Sequence, residues 1–174
     1  MINRRSFLAI ASVGFISACA EPLLDVSASQ NLRVNEVTVD VSQLERVGGR
    51  QNAISTAQVQ RDVQQAVSAQ LQAAAAGSRP VNVQLSLTSV QLVSPGMSLL
   101  VGGTSRIAGI LQVKDAESGA VVIEPTEVFG LAKGEYAPGG IIGALAKSGR
   151  SPTDDYKNTV SGFAADVRKR LFGA

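Results

Sequence analysis

Histidine and tryptophan are absent from this chain of 174 residues, and cysteine occurs once, at Cys19. Without histidine there are no imidazole metal ligands and no Ser-His catalytic pairs. One cysteine excludes a disulfide within the chain. No serine is followed three residues later by lysine, so that nucleophile arrangement is missing too. Aromatic residues make up 4% of the chain, which leaves few platforms for stacking bases or sugars. Side chains suited to proton transfer at neutral pH are scarce. The expected role is therefore not enzymatic, and no metal or cofactor is implied.

Charge is also in short supply. The net charge of +2 is carried by Arg4 and Arg5, which stand ahead of an uncharged apolar stretch from Phe7 to Ala18. That stretch is shorter than the roughly 20 residues that cross a bilayer. A basic start, a short apolar run and small residues are the pattern of an export signal, which is excluded from fold reasoning. Setting residues 1–18 aside leaves 156 residues of zero net charge, one domain by length. No basic patch for nucleic acid remains.

The leader ends in Ile16-Ser17-Ala18-Cys19, which resembles the lipobox of bacterial lipoproteins, with Ile where Leu is usual. The resemblance implies cleavage before Cys19, attachment of diacylglycerol to its sulfur, and further acylation of the new amino terminus by a fatty acid such as palmitate. Cys19 is then the membrane anchor. Ala20 follows it, where Asp is the common signal for inner-membrane retention in that family. The implied location is the cell envelope, on the outer membrane and facing the periplasm. The opening "NRRSFLA" is also similar to the twin-arginine export signal through Arg4, Arg5, Phe7 and Leu8, with Asn3 and Ala9 departing from it. An ordinary export signal that happens to hold two arginines is the alternative.

Beyond Cys19 the expected organisation is a lipidated tether over 19–31 and one α+β domain over 32–174. The segment 20–31 lacks periodicity and would reach roughly 40 Å if extended. Residues 32–41 alternate as a strand whose parity changes near Asn35–Glu36, which predicts a bulge. Residues 42–55 read as a polar loop with a Gly48-Gly49 turn. Ser55 caps a helix over 56–76 with Val59, Val63, Val67 and Leu71 on one face and glutamines on the other. Residues 79–93 form a strand with a second change of parity near Thr88–Ser89. Residues 106–134 form a hairpin that turns at "DAESG", and Pro125 implies an edge strand or a bulge. Ser151-Pro152 opens a last helix with an apolar stripe of Tyr156, Val160, Phe163, Ala164, Val167 and Leu171. Arg168, Lys169 and Arg170 in its last turn complement the helix dipole.

The order β-α-β-β-β-α predicts a curved antiparallel sheet of about four strands with two helices on one face. This exported plan, with its "VKDAESGAVV" hairpin, resembles small proteobacterial envelope lipoproteins. Some relatives in that broad group are accessory or assembly subunits of envelope transport machinery.

Two apolar runs bounded by glycines are the candidate contact residues. One is Met97, Leu99, Leu100 and Val101; the other is Ile141, Ile142 and Leu145. Core filling is the competing role of the first run, and a plain flexible loop that of the second. Lys147-Ser148 lacks the glycine of a phosphate loop. The acid pairs Glu124/Glu127 and Asp154/Asp155 read as surface. The leading expectation is a membrane-anchored binding or scaffold module, its partner an envelope protein or a second copy. The alternative is a carrier of a small hydrophobic ligand in a groove under the glycine-rich loop 135–150.

Overall fold

A computed structural model of the chain describes residues 22–44, 47–49, 54–93, 104–132 and 151–173. The elements are α1 (Val26–Gln30), β1 (Leu32–Asp40), β2 (Val47–Gly49), α2 (Thr56–Ala74), β3 (Arg79–Leu92), β4 (Arg106–Asp115), β5 (Val121–Leu131) and α3 (Pro152–Phe172). The class is α+β, with four long strands in the order β1-β3-β4-β5 and both long helices packed on one face.

The pairing differs from expectation at one edge. β1 runs parallel to β3, so the sheet is mixed rather than wholly antiparallel. The reason is connectivity: α2 carries the chain back along the sheet face, and a strand that follows such a crossover points the same way as the one before it. β2 is a second departure. Gly48 and Gly49 do not turn the chain but pair in parallel with Gln91 and Leu92, continuing the edge of β3 that β1 occupies earlier. The segment 20–31 departs as well, because the chain is packed from Pro22 onward. Leu23 and Leu24 lie against the core, Leu23 N–H donates to the Arg170 carbonyl at 2.8 Å, and α1 follows. Two leucines ahead of a polar stretch are enough to dock it on a helix end.

The irregularities legible in the alternation are present. The β1–β3 register shifts between Val34 and Glu36, and the β3–β4 register between Leu87 and Ser89. Each extra residue turns the apolar parity back toward the core, so Val34 with Val37, and Leu87 with Val90, are all buried. Pro125 sits on edge strand β5 and in a bulge, since Thr126 and Ile123 pair but the two residues between them do not. The valines and leucine of the α2 stripe are fully buried, as are Phe163 and Val167 of α3. The side chain of Ser55 accepts from Gln58 N–H, and that of Ser151 from Asp154 N–H, so each helix begins at its cap.

Seating α3 on the sheet depends on Gly130. A Cβ built there would lie 2.2 Å from Phe163 Cα and 2.8 Å from its nitrogen. Both are backbone atoms that no rotamer change removes. The β4–β5 turn uses a different device. Gly119 takes φ of 72° in open space, and Asp115 gathers the turn. Its carboxyl is held well below the usual carboxylate range by the Ser118 backbone N–H, the Arg79 guanidinium at 2.9 Å and the Ser118 hydroxyl.

Gly130→Ala is expected to cost about 3 kcal/mol or more in denaturant unfolding, as an overpacked site that cannot relax. Gly119→Ala should cost only about 1–2 kcal/mol, from its left-handed backbone alone. A carboxyl held low contributes its stability above its unfolded pKa and loses it as pH falls toward the folded value. Asp115→Asn should therefore lower the thermal midpoint most at neutral pH. The gap from the parent should close as pH drops below about 4.

Candidate functional site

The helix direction sorts the molecule into two ends. α2 and α3 lie side by side, with Asp62 meeting Tyr156 near their starts and Ala66 near Val160 and Ala164 further along. Both end where β1 and β3 begin: Gly77 N–H bonds to the Leu32 carbonyl, and Leu23 N–H to the Arg170 carbonyl. The opposite end holds the close of β3, the start of β4, the close of β5 and the start of α3.

A buried polar cluster ties those four segments together. Ser105, fully buried, donates its hydroxyl to the Asp155 carboxylate at 2.6 Å and accepts the Val93 N–H at 3.0 Å. The Ser105 carbonyl accepts the Ala132 N–H at 2.9 Å. Asp155, 3% exposed, lies in the first turn of α3, where the helix dipole favours an anion. The Thr159 hydroxyl bonds back to the Asp155 carbonyl at 2.7 Å. The surface reading of Asp155 is thereby corrected, whereas Asp154, Glu124 and Glu127 are exposed. The signal was in the helical period. Asp155 stands four residues before buried Thr159 and eight before Phe163, on the inward side of the stripe.

This arrangement bears on the two apolar runs. Met97, Leu99, Leu100, Val101, Ile141, Ile142 and Leu145 lie outside the described residues, as do Cys19, Arg4, Arg5, Phe7 and Leu8. The residues flanking the two runs are described. The chain departs at Val93 and Ala132 and returns at Thr104 and Ser151, all at the end that Ser105 and Asp155 organise.

Elsewhere the sequence reading missed an exposed apolar group on the face of the sheet that none of the described helices covers. Phe129 is 63% exposed, Leu131 45% and Ile110 38%. Phe129 faces Ala108 across β4–β5, two residues along from Ile110. Ile110 alternates with buried Leu111 and Val113, but an outward Phe in an edge strand carries no sequence mark of exposure. Both sheet edges meet helix side chains. Gln60 of α2 donates to the Val39 carbonyl at 2.7 Å, so it is not part of a solvated glutamine face. On the other edge the Asp166 carboxyl of α3 lies near the Leu131 N–H, which favours its charged form. Burial nevertheless raises the Asp166 carboxyl, more than that N–H and Lys169 lower it. Burial likewise raises the Tyr156 phenol, with Asp62 at 3.0 Å adding to the effect.

Between α2 and α3 an open cleft of about 530 Å³ is floored by Ala66, Val160 and Ala164 and rimmed by Gln58, Gln65 and Lys157. The groove expected under residues 135–150 lies outside the described residues. Among the described residues, no cluster of acids suits a metal ion, and no helix is long and apolar enough to cross a membrane.

No protein-family model matches the chain, and no curated protein matches it significantly. Among solved structures, it is similar to a candidate lipoprotein from Caulobacter crescentus CB15, with 15% identity over 84% of this chain and 90% of that one and a TM-score of 0.39. It is also similar to an uncharacterised protein, with 13% identity over 87% of this chain and 94% of the other and a TM-score of 0.42. At these values the likeness decides nothing about activity.

Ser105→Ala would strand the Val93 N–H and remove a donor from the buried Asp155 carboxylate. The expected cost is about 1–3 kcal/mol by urea unfolding, the range for a buried polar group left unpaired. Ser151→Ala, at an exposed cap, should cost about 1 kcal/mol.

Proposed function

We propose that the chain is a lipid-anchored envelope protein that works as a binding or scaffold module and meets its partner at the end of the domain farthest from the membrane. The Ile16-Ser17-Ala18-Cys19 motif supports the anchor, and Ala20 in place of Asp supports an outer-membrane destination facing the periplasm. The observation that carries the reading is the convergence of Val93, Thr104, Ala132 and Ser151 around Ser105 and Asp155. The segments that contain the two candidate contact runs, 94–103 and 133–150, both leave from and return to that one end. Pro22 and Leu23, the described residues nearest Cys19, are at the other. The 21 residues of α3 separate the ends by about 31 Å at 1.5 Å per residue. A module built this way would leave its anchor and its candidate contact residues to opposite ends of the described domain.

Near-neutral charge implies that recognition is mainly apolar and only weakly salt-dependent. The exposed Phe129, Leu131 and Ile110 offer a second apolar contact, of the kind that single-copy soluble surfaces tend to keep small. The carrier reading has less to draw on, because the described α2–α3 cleft is open and polar-rimmed. Lipid extraction and native mass spectrometry of the purified protein separates the two, since a stoichiometric apolar ligand would favour the carrier.

The anchor is tested by Cys19→Ser, which should move the protein from the membrane to the soluble fraction. An intact mass showing unmodified Cys19 in the parent would overturn it. Fractionation with inner-membrane markers would overturn the outer-membrane assignment. The candidate contact residues are tested by Leu100→Ser and Ile142→Ser, made separately and crosslinked in intact cells. One change should abolish a specific crosslink while thermal stability barely moves. Loss of about 2–5 kcal/mol in both variants, as for truncated core residues, with crosslinks unchanged, would refute the proposed contact end.

A further inference from the structure

The end of the domain nearest Cys19 has a composition of its own. Only Ala20 and Glu21 lie between the anchor cysteine and Pro22, where packed structure begins. Three residue steps span at most about 10 Å, so a lipid on Cys19 leaves no room for a leash. Whatever surface surrounds Pro22 must lie at the headgroup layer. That surface is formed by two elements that touch: the segment 22–28, joined through Leu23 N–H to the Arg170 carbonyl, and the last turn of α3. Val26 is 69% exposed there, and Leu23, Leu24 and Phe172 are only partly covered. Pro22, Leu23, Leu24, Asp25, Val26 and Ala28 line a shallow concavity of about 590 Å³. Lys169 is exposed beside half-buried Arg168 and Arg170, with Asp25 and Asp166 as the neighbouring acids.

We infer that this end is a membrane-seating face. Val26 enters the headgroup boundary of the bilayer that holds the Cys19 lipid, the partly covered Leu23 and Leu24 backing it from the core side, and Arg168 and Lys169 meet anionic headgroups. The inference rests on the anchored reading of Cys19 given above and adds an orientation to it. A single exposed valine with a few cations would bind a bilayer only weakly. Tethering removes that objection, because the anchor supplies the membrane at high effective concentration and the face has only to choose one orientation. The α2 and α3 axes then stand away from the bilayer, and the Ser105–Asp155 end points into the periplasm.

The test uses the full lipidated protein, reconstituted into phosphatidylethanolamine–phosphatidylglycerol vesicles that carry nitroxide-labelled lipid. With the Cys19 sulfur acylated, a cysteine introduced by Val26→Cys or, at the opposite end, Gln43→Cys is the single site for a fluorophore. The position-26 label should lose most of its emission and the position-43 label almost none. Raising salt, or combining Arg168→Glu with Lys169→Glu, should restore part of the emission at position 26 while the protein stays on the vesicle. Equal quenching at both positions, or none at either, overturns the seating face. Position-26 quenching indifferent to both salt and charge reversal overturns the role of the α3 cations. Intact mass of the same sample keeps the two readings apart: absence of lipid on Cys19 defeats the anchor and with it the inference, whereas lipid present without quenching defeats the seating face alone.

Discussion

α3 reaches the sheet only because Gly130 has no side chain. With the Phe163 backbone where a Cβ would otherwise stand, the helix comes down onto β5 and its stripe of Tyr156, Val160, Phe163, Val167 and Leu171 closes the core against α2. Much else follows from that seat. It aims the first turn of α3 at Ser105 and the last turn at Leu23. It also brings Asp166 to the Leu131 N–H at the edge of β5. A helix raised by one methyl group would lose both of its terminal contacts together, since each is a hydrogen bond between parts far apart in sequence.

The two ends of the molecule are built by different chemistry. The end around Asp155 is a buried polar junction in which one serine satisfies the N–H just past β3 and a carboxylate while its carbonyl takes the N–H just past β5. Such a junction fixes the relative positions of four segments more sharply than apolar packing does, because hydrogen bonds are directional and costly to leave unmade. The end around Leu23 is an apolar docking with one backbone bond. It suits a place where the chain passes from packed structure to the proposed anchor within a few residues. The scaffold proposed above would use a block with two such ends, its proposed anchor beyond one and the candidate contact residues beyond the other.

The sheet shows how edges are managed when the described helices cover one face. Edge strands present open backbone groups to any passing chain. Here each edge receives a polar side chain from the nearer helix, Gln60 on the β1 side and Asp166 on the β5 side. Pro125 with Glu124 adds a bulge to β5. The helices therefore serve as core and as edge cover at once. Phe129 is the exception, a large apolar ring left outward on a guarded edge.

Local chemistry decided much of this protein in the sequence itself. Caps at Ser55 and Ser151, the stripes of α2 and α3, the parity changes near Asn35 and Thr88, the bulge at Pro125 and the turn at Gly119 all appear where the residues place them. Each depends on neighbours within a few positions, so period and backbone preference suffice to find it. Which strands pair, and in which sense, was decided only by the tertiary structure. The parallel β1–β3 edge follows from a crossover whose path no local pattern records, and β2 exists because β3 offers it an edge. Asp155 became an interior residue because Ser105, fifty positions earlier, arrives beside it. Leu23 and Leu24 became part of the domain because α3 ends within their reach. Alternation and helical period tell a residue which way to point, but they carry no information about what will be standing there, and that meeting is what separates the end of this domain around Leu23 from the end around Asp155.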